Sequence, residues 1–247
     1  MIRSLILIFQ FMTRLPIPIE IEMDKKTISK GIIFLPLVGM VVGAISWIVY
    51  YLLNFINTDV AALGAVIANV AATGGLHIDG LSDTCDGFFS ARSRERILEI
   101  MKDSRVGTFG VIAIVMVLLA KYTLISNLPQ DMALLALVLT SGSSRFAAAF
   151  LITFGKSARP GGLGDMFSSS SSKGYFWASA AVFAAIGIIF GGWSFIISLV
   201  VILAFSLLLM RRSYRIIGGL TGDVYGAGIE ICDVLGLITF LVVGAWI

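Results

Sequence analysis

The chain has 247 residues, 58% of them hydrophobic and only 13% charged, with a formal net charge of +3 and a mean hydropathy of +0.98. A soluble domain of this length carries about 25% charged residues, so the composition excludes one and requires an integral membrane protein. One all-α, polytopic membrane helical bundle, a single domain over residues 1–247, accounts for the whole chain.

In chain order, residues 1–12 are apolar but too short to span a bilayer. With Arg3 and Arg14 flanking them they predict an interfacial or re-entrant amino-terminal helix; no small-residue cleavage site follows, which disfavours a signal peptide. Seven stretches are then long and apolar enough to cross: 31–55, 60–76, 107–126, 132–154, 175–190, 193–210 and 229–247. The fifth and sixth are separated only by Gly191-Gly192, so they form either two full spans or one bent, re-entrant unit. Sixteen of the 18 Lys and Arg residues fall before the first stretch or in alternate connections, all on one side of the bundle. The opposite connections carry only Asp59 and Asp131. By the positive-inside rule the basic side is cytoplasmic.

Between the second and third stretches lies GGLHIDGLSDTCDGFFSARSRERILEIMKDSRVGTFG, with Asp79, Asp83 and Asp86. If the second apolar helix runs on through them, spacings of four and three place the three carboxylates on one helix face, within roughly 60° of arc. Crowded carboxylates repel one another and lose hydration, and a hard divalent cation offsets that cost. Asp79, Asp83 and Asp86 are therefore the candidate metal ligands, facing the cytoplasm. Asp103 either joins them or neutralises Lys102 and Arg105.

Two further cytoplasmic segments are rich in small residues: GKSARPGGLGDMFSSSSS (155–172) and GGLTGDVYGAGIEICD (218–233). Such backbone approaches a bulky ligand closely and aims N–H groups at phosphate, while Arg and Lys match its charge. Carboxylates for metal beside basic groups for phosphate predict a phosphoryl or phosphodiester transfer site. The serine run reads as a flexible loop. Arg145 lies deep in the fourth stretch, where an unpaired cation is costly, so a carboxylate or a bound phosphate must face it. Lys121, near the outer end of the third stretch, is expected to snorkel to the interface. His77 reads as a hydrogen-bonding residue inside the bundle rather than a metal ligand, and Cys85 and Cys232 as packing residues without a disulfide. Glu230 and Asp233 are expected at the inner end of the seventh stretch.

Asp83-x-x-Asp86-Gly87 followed by Ala91-Arg92 resembles the first half of the CDP-alcohol phosphotransferase signature, but the spacer to Ala-Arg is one residue too long and the second aspartate pair is missing. A fuller resemblance runs through GGLHIDGLSDTCDG, EIMKDSRVGTFG, GLTGDVYGA and the amino-terminal FMTRLPIP. In that order these segments resemble the cobalamin 5′-phosphate synthases, also called adenosylcobinamide-GDP ribazoletransferases, over essentially the full chain. The resemblance implies a Mg²⁺-dependent enzyme of the cytoplasmic membrane, late in cobalamin assembly, that joins adenosylcobinamide-GDP to α-ribazole or its 5′-phosphate and releases GMP.

On that reading Asp79, Asp83 and Asp86, with Asp103, hold metal. Lys102, Arg105, Arg145 and Arg14 contact phosphate, with Gly107 and Gly222 as close-approach backbone. Asp83, Lys102 and Asp223 carry the chemistry, Asp223 completing a metal shell or acting as general base. Besides these substrates the expected partner is the bilayer, not nucleic acid, with self-association left open. The rival classes are a CDP-alcohol phosphotransferase of phospholipid synthesis and a cation-coupled transporter, which predicts acids near mid-bilayer in several spans.

Overall fold

The computed structural model describes residues 1–244 and is all-helical among them. Hydropathy dictates this, because backbone N–H and C=O groups in lipid must be satisfied within the chain, and a helix does so locally. Helix α1 (Ile2–Met12) does not span; it buries Leu7, Ile8 and Met12 against the bundle. Asp24 caps α2 (Lys25–Gly31) by accepting from the Thr27 backbone N–H at 2.8 Å. A short 3₁₀ turn (Ile32–Phe34) leads into α3 (Leu35–Leu53), and together they make a 29-residue first span.

Helix α4 (Thr58–Thr73) does not continue into the aspartate segment as the spacing alone suggested. Gly74 and Gly75 both take left-handed backbone (φ +62° and +75°), which only glycine adopts at low cost, and the chain turns by 88° into α5 (Leu76–Phe88). Asp79, Asp83 and Asp86 therefore ride on a separate helix laid across the end of the bundle. Helix α6 (Arg94–Ile100) follows, then α7 (Thr108–Ser126), a peripheral span.

Helix α8 (Gln130–Phe154) is the central span, buried over most of its length. Gly39 and Gly43 of α3 let it approach the α8 backbone at Ser141 and Leu137, the small-residue packing that membrane helices use in place of a hydrophobic drive. The short α9 (Leu163–Ser170) precedes α10 (Lys173–Ile217), which is 45 residues long.

Helix α10 is two antiparallel legs. At Gly192 the backbone leaves the helical region (φ 52°, ψ −135°). Trp177, near its start, packs on Phe154 at the end of α8, and Tyr214, near its finish, accepts a hydrogen bond from the neighbouring Lys156 N–H at 2.7 Å. A straight helix would separate residues 177 and 214 by about 55 Å. Phe183 and Phe195, from opposite legs, meet edge-on at 5.3 Å. The fifth and sixth stretches are thus a helical hairpin.

Helix α11 (Gly222–Gly244) starts seven residues earlier than its apolar stretch, so the GLTGD aspartate lies in its first turn; residues 245–247 of the expected seventh stretch lie outside the described residues. Five helices pass as membrane spans by length and composition, and the bent α4–α5 pair makes six. Counting the legs of α10 separately recovers the expected seven.

Candidate active site

The three small-residue segments meet at one end of the bundle. The strand-like stretch after α8 pairs with the stretch before α11: the Ala158 N–H donates to the Leu220 carbonyl and the Leu220 N–H to that of Lys156, both at 2.8 Å. Arg94 of α6 clamps this pairing, lying over Gly218 and donating to the Ala158 carbonyl at 3.2 Å. Gly80 of α5 sits against the Asp223 backbone and Gly226 of α11 against that of His77, so α5 crosses the first turns of α11 in near contact. A side chain at either glycine would separate the two helices.

These contacts enclose a cavity of about 240 Å³. Its more accessible part carries Asp79, Arg159, Asp165 and Asp223, with the exposed Leu76; its buried part is mainly apolar, lined by Ile152, Phe167, Tyr225 and Ile229 beside the half-buried Phe11, with His77, Met12 and Thr221 among them. Arg159 reaches Asp223 at 3.5 Å, and the Thr221 hydroxyl lies 3.2 Å from the same carboxylate. Asp83 feels the charges of Asp79, Asp223 and Asp86, with Arg159 as the opposing cation.

The aspartates divide by task. Asp86 accepts from the Gly107 and Gly110 backbone N–H groups at 2.7 and 2.8 Å, so it caps α7 and stands at the positive end of its dipole. Asp103 is gripped by the Arg105 guanidinium, at 2.6 Å from Nη2, and its carboxyl is held down at about 2 by that partner. It neutralises Arg105, and both sit on an exposed loop. Among the described residues no three Asp, Glu, His or Cys side chains converge to hold a metal ion. Of the four expected ligands, Asp86 and Asp103 already have partners, in the α7 backbone and in Arg105. Among the described residues neither Asp79 nor Asp83 has a hydrogen-bonding partner.

Other expectations also need correction. Arg145 is fully buried and paired to Asp233 at 3.3 Å, a carboxylate partner as anticipated. Lys121 does not snorkel: it is 3% exposed and donates to Glu230 at 2.7 Å and Asp233 at 3.0 Å. Glu230 and Asp233 lie in the third turn of α11 and beyond, inside the bundle. Lys102 and Arg105 stand on the exposed α6–α7 connection and do not line the cavity, nor does Gly107, which serves Asp86. Arg14 lies over Gly74 at the α4–α5 bend. Gly222 and Asp223 do line the cavity. Arg159, Asp165 and Thr221 went unassigned, although Arg159 is the only arginine of the 155–172 segment and so the one guanidinium it can offer.

Fold and site together define a multi-span membrane protein with a small, mainly apolar cavity bearing a few charged groups, flanked by helix α5 beyond the 88° bend. The sequence profile of the cobalamin-5-phosphate synthase (CobS) family matches residues 4–241. The adenosylcobinamide-GDP ribazoletransferase of Clostridium novyi is 38% identical over 241 residues, 97% of this chain and 96% of that protein. Those of Clostridium tetani and Clostridium kluyveri are 35% and 34% identical, over 97% and 98% of this chain and 96% and 98% of theirs. The chain belongs to the cobalamin-5-phosphate synthase family. No solved structure matches it.

Proposed function

We propose that this protein is an adenosylcobinamide-GDP ribazoletransferase acting in the membrane: a hydroxyl of α-ribazole, or of its 5′-phosphate, displaces GMP from adenosylcobinamide-GDP. The oxygen–phosphorus bond forms at the phosphorus nearest cobinamide, the bond from that phosphorus to the bridging oxygen breaks, and GMP leaves with the bridging oxygen. The observation that carries this reading is the meeting of Asp79, Arg159 and Asp223, one from each of the three small-residue segments, at one cavity.

Each side chain has a task there. Asp223, oriented by Arg159 and Thr221, takes the proton of the attacking hydroxyl. Arg159, a planar donor beside it, pairs with phosphate oxygens of the donor substrate. The Gly222 backbone, uncovered at the start of α11, allows the diphosphate close approach. Among the described residues no serine or cysteine of the cavity is hydrogen-bonded to His77, so we read the displacement as direct.

The donor set also suits Mg²⁺. That ion is commonly held by one or two carboxylates together with substrate phosphates and water, not by a full protein cage, which is consistent with the lack of a three-carboxylate cluster. Asp79 and Asp83 would hold it, and its charge would offset that of the diphosphate and of departing GMP. The cavity is read as opening to the cytoplasm, where the basic connections lie.

The test is GMP release by purified protein in nanodiscs given adenosylcobinamide-GDP and α-ribazole. Ribazole-dependent GMP with matching cobalamin is expected, abolished by chelation and reduced at least 100-fold in D83N and D223N. Folded protein that instead turns over a CDP-alcohol would refute the assignment.

A further inference from the structure

The depth of the cavity has a composition that its mouth does not explain. Phe11 and Phe167 pack with tilted rings, centroids 4.6 Å apart and an interplanar angle of 30°, and Tyr225, Ile152 and Ile229 continue the lining. Among them a single nitrogen donor is presented, and its state is set from behind. Arg145 Nη2 lies 3.3 Å from His77 Nδ1. A guanidinium can only donate, so Nδ1 accepts and the ring hydrogen resides on Nε2. Arg145 is itself held by Asp233, which Lys121 also contacts, and Lys121 in turn is held by Glu230. Two cations and two carboxylates balance, and this neutral chain of partners fixes the imidazole in one orientation.

His77 Nε2 then faces Met12 Sδ of α1 at 3.5 Å. A thioether is a weak acceptor, so a buried donor stands at the cavity wall without a strong partner. That arrangement suits a ligand that brings one.

We infer that the inner half of the cavity is the acceptor-base subsite, in which the flat benzimidazole of α-ribazole lies in the Phe11–Phe167–Tyr225 pocket and receives a hydrogen bond from His77 Nε2 at its free ring nitrogen. This rests on the ribazoletransferase reading and extends it. The base is apolar and planar with one acceptor atom; the pocket is apolar and aromatic, and its donor of fixed direction is His77 Nε2, the Tyr225 hydroxyl being free to turn. Guanine, with several donors and acceptors on its edges, would leave most of them buried and unpaired. The corrin macrocycle is far too large for about 240 Å³ and stays outside the mouth. With the base held deep, the ribose hydroxyls point back to Asp223 and Asp79 at the mouth, where the phosphorus arrives. Arg145, Asp233 and Lys121 become positioning residues that act through His77.

The experiment measures binding, not turnover, so it stands apart from the activity assay. Purified protein in nanodiscs is titrated calorimetrically with α-ribazole and with the matching dimethylindole riboside, in which a carbon replaces the free ring nitrogen. Wild-type protein is expected to bind α-ribazole roughly fivefold to tenfold more tightly than the indole compound, the worth of one buried hydrogen bond. H77L should erase that preference while keeping the indole affinity, and F167A should weaken both ligands alike. Equal affinity of wild-type protein for the two compounds overturns the proposal without needing any variant. So does GMP binding that is weakened by F167A and competes with α-ribazole. If α-ribazole binds as expected yet no GMP is released in the activity assay, the subsite stands and the transferase reading falls.

Discussion

Asp83 and Asp86 are three residues apart on one short helix, yet they meet opposite surroundings. Asp86 sees two backbone N–H groups at the start of α7, and both its oxygens are satisfied. Asp83 sees mainly other carboxylates. Spacing alone cannot separate these roles, because it fixes the helix face and not what packs against it. The distinction has a measurable consequence. D86A removes the cap and its favourable charge at the α7 dipole, and should lower stability by about 1–2 kcal/mol, read as a drop in thermal unfolding temperature in detergent. D86N retains an amide oxygen for one of the two N–H groups and should keep most of the stability and at least a tenth of the GMP release. D83N should do the reverse, leaving the unfolding temperature near wild type and abolishing turnover. Loss of activity in D86N at full stability would return Asp86 to the metal ligands.

At the scale of helices, two features decide how the bundle holds together. The Lys121–Glu230–Asp233–Arg145 cluster joins α7, α8 and α11 by charge pairs buried away from water. Removing one partner from such a cluster leaves an uncompensated charge, at a cost of about 3–5 kcal/mol. K121M should therefore unfold at markedly lower temperature, and K121M/E230Q should recover part of the loss, because Asp233 keeps Arg145 while the stranded carboxylate of Glu230 is gone. A double variant no better than K121M would mean the cluster is not the source of the effect. At Gly192 nothing crowds the position where a side chain would begin, so its requirement is purely conformational. G192A should cost about 1–3 kcal/mol through backbone strain, with GMP release unchanged at temperatures where the variant is folded. Hydropathy reveals the apolar runs on either side of Gly192 but not whether the chain reverses there. The same holds for Gly74-Gly75, where apolar residues on both sides hide an 88° turn. The cluster was equally hidden. Lys121 and Glu230 are 109 residues apart, and only knowing that α7 packs on α11 turns two isolated intramembrane charges into a pair. Arg145, by contrast, was legible as a cation in need of a partner because its depth in an apolar run was itself visible.

Taken as a whole, the molecule is polarised. One end carries the bend into α5, the α6–α7 connection, the 156–158 stretch paired with Leu220, both ends of the α10 hairpin and the cavity mouth; the other carries short connections and the turn at Gly192. This end-to-end asymmetry was readable early because it is written in charge: 16 of the 18 basic residues belong to the cavity end, and the remaining two are the buried Lys121 and Arg145. The ligand pocket within that end was not, since Phe11, His77, Phe167 and Tyr225 come from four separate helices and look like ordinary core residues along the chain. We propose from the same polarity that the cavity meets the cytoplasm, because a cluster of Lys and Arg beside short connections resists translocation. In a C85S background, with Cys232 buried, single cysteines at Ser104 and Gln130 lie at opposite ends of the molecule and are both exposed. A membrane-impermeant maleimide applied to intact cells should label Q130C and leave S104C untouched until the membrane is permeabilised. The opposite pattern would open the cavity to the outside, away from any cytoplasmic supply of a nucleotide-activated donor, and the proposed reaction could not be sustained in that orientation.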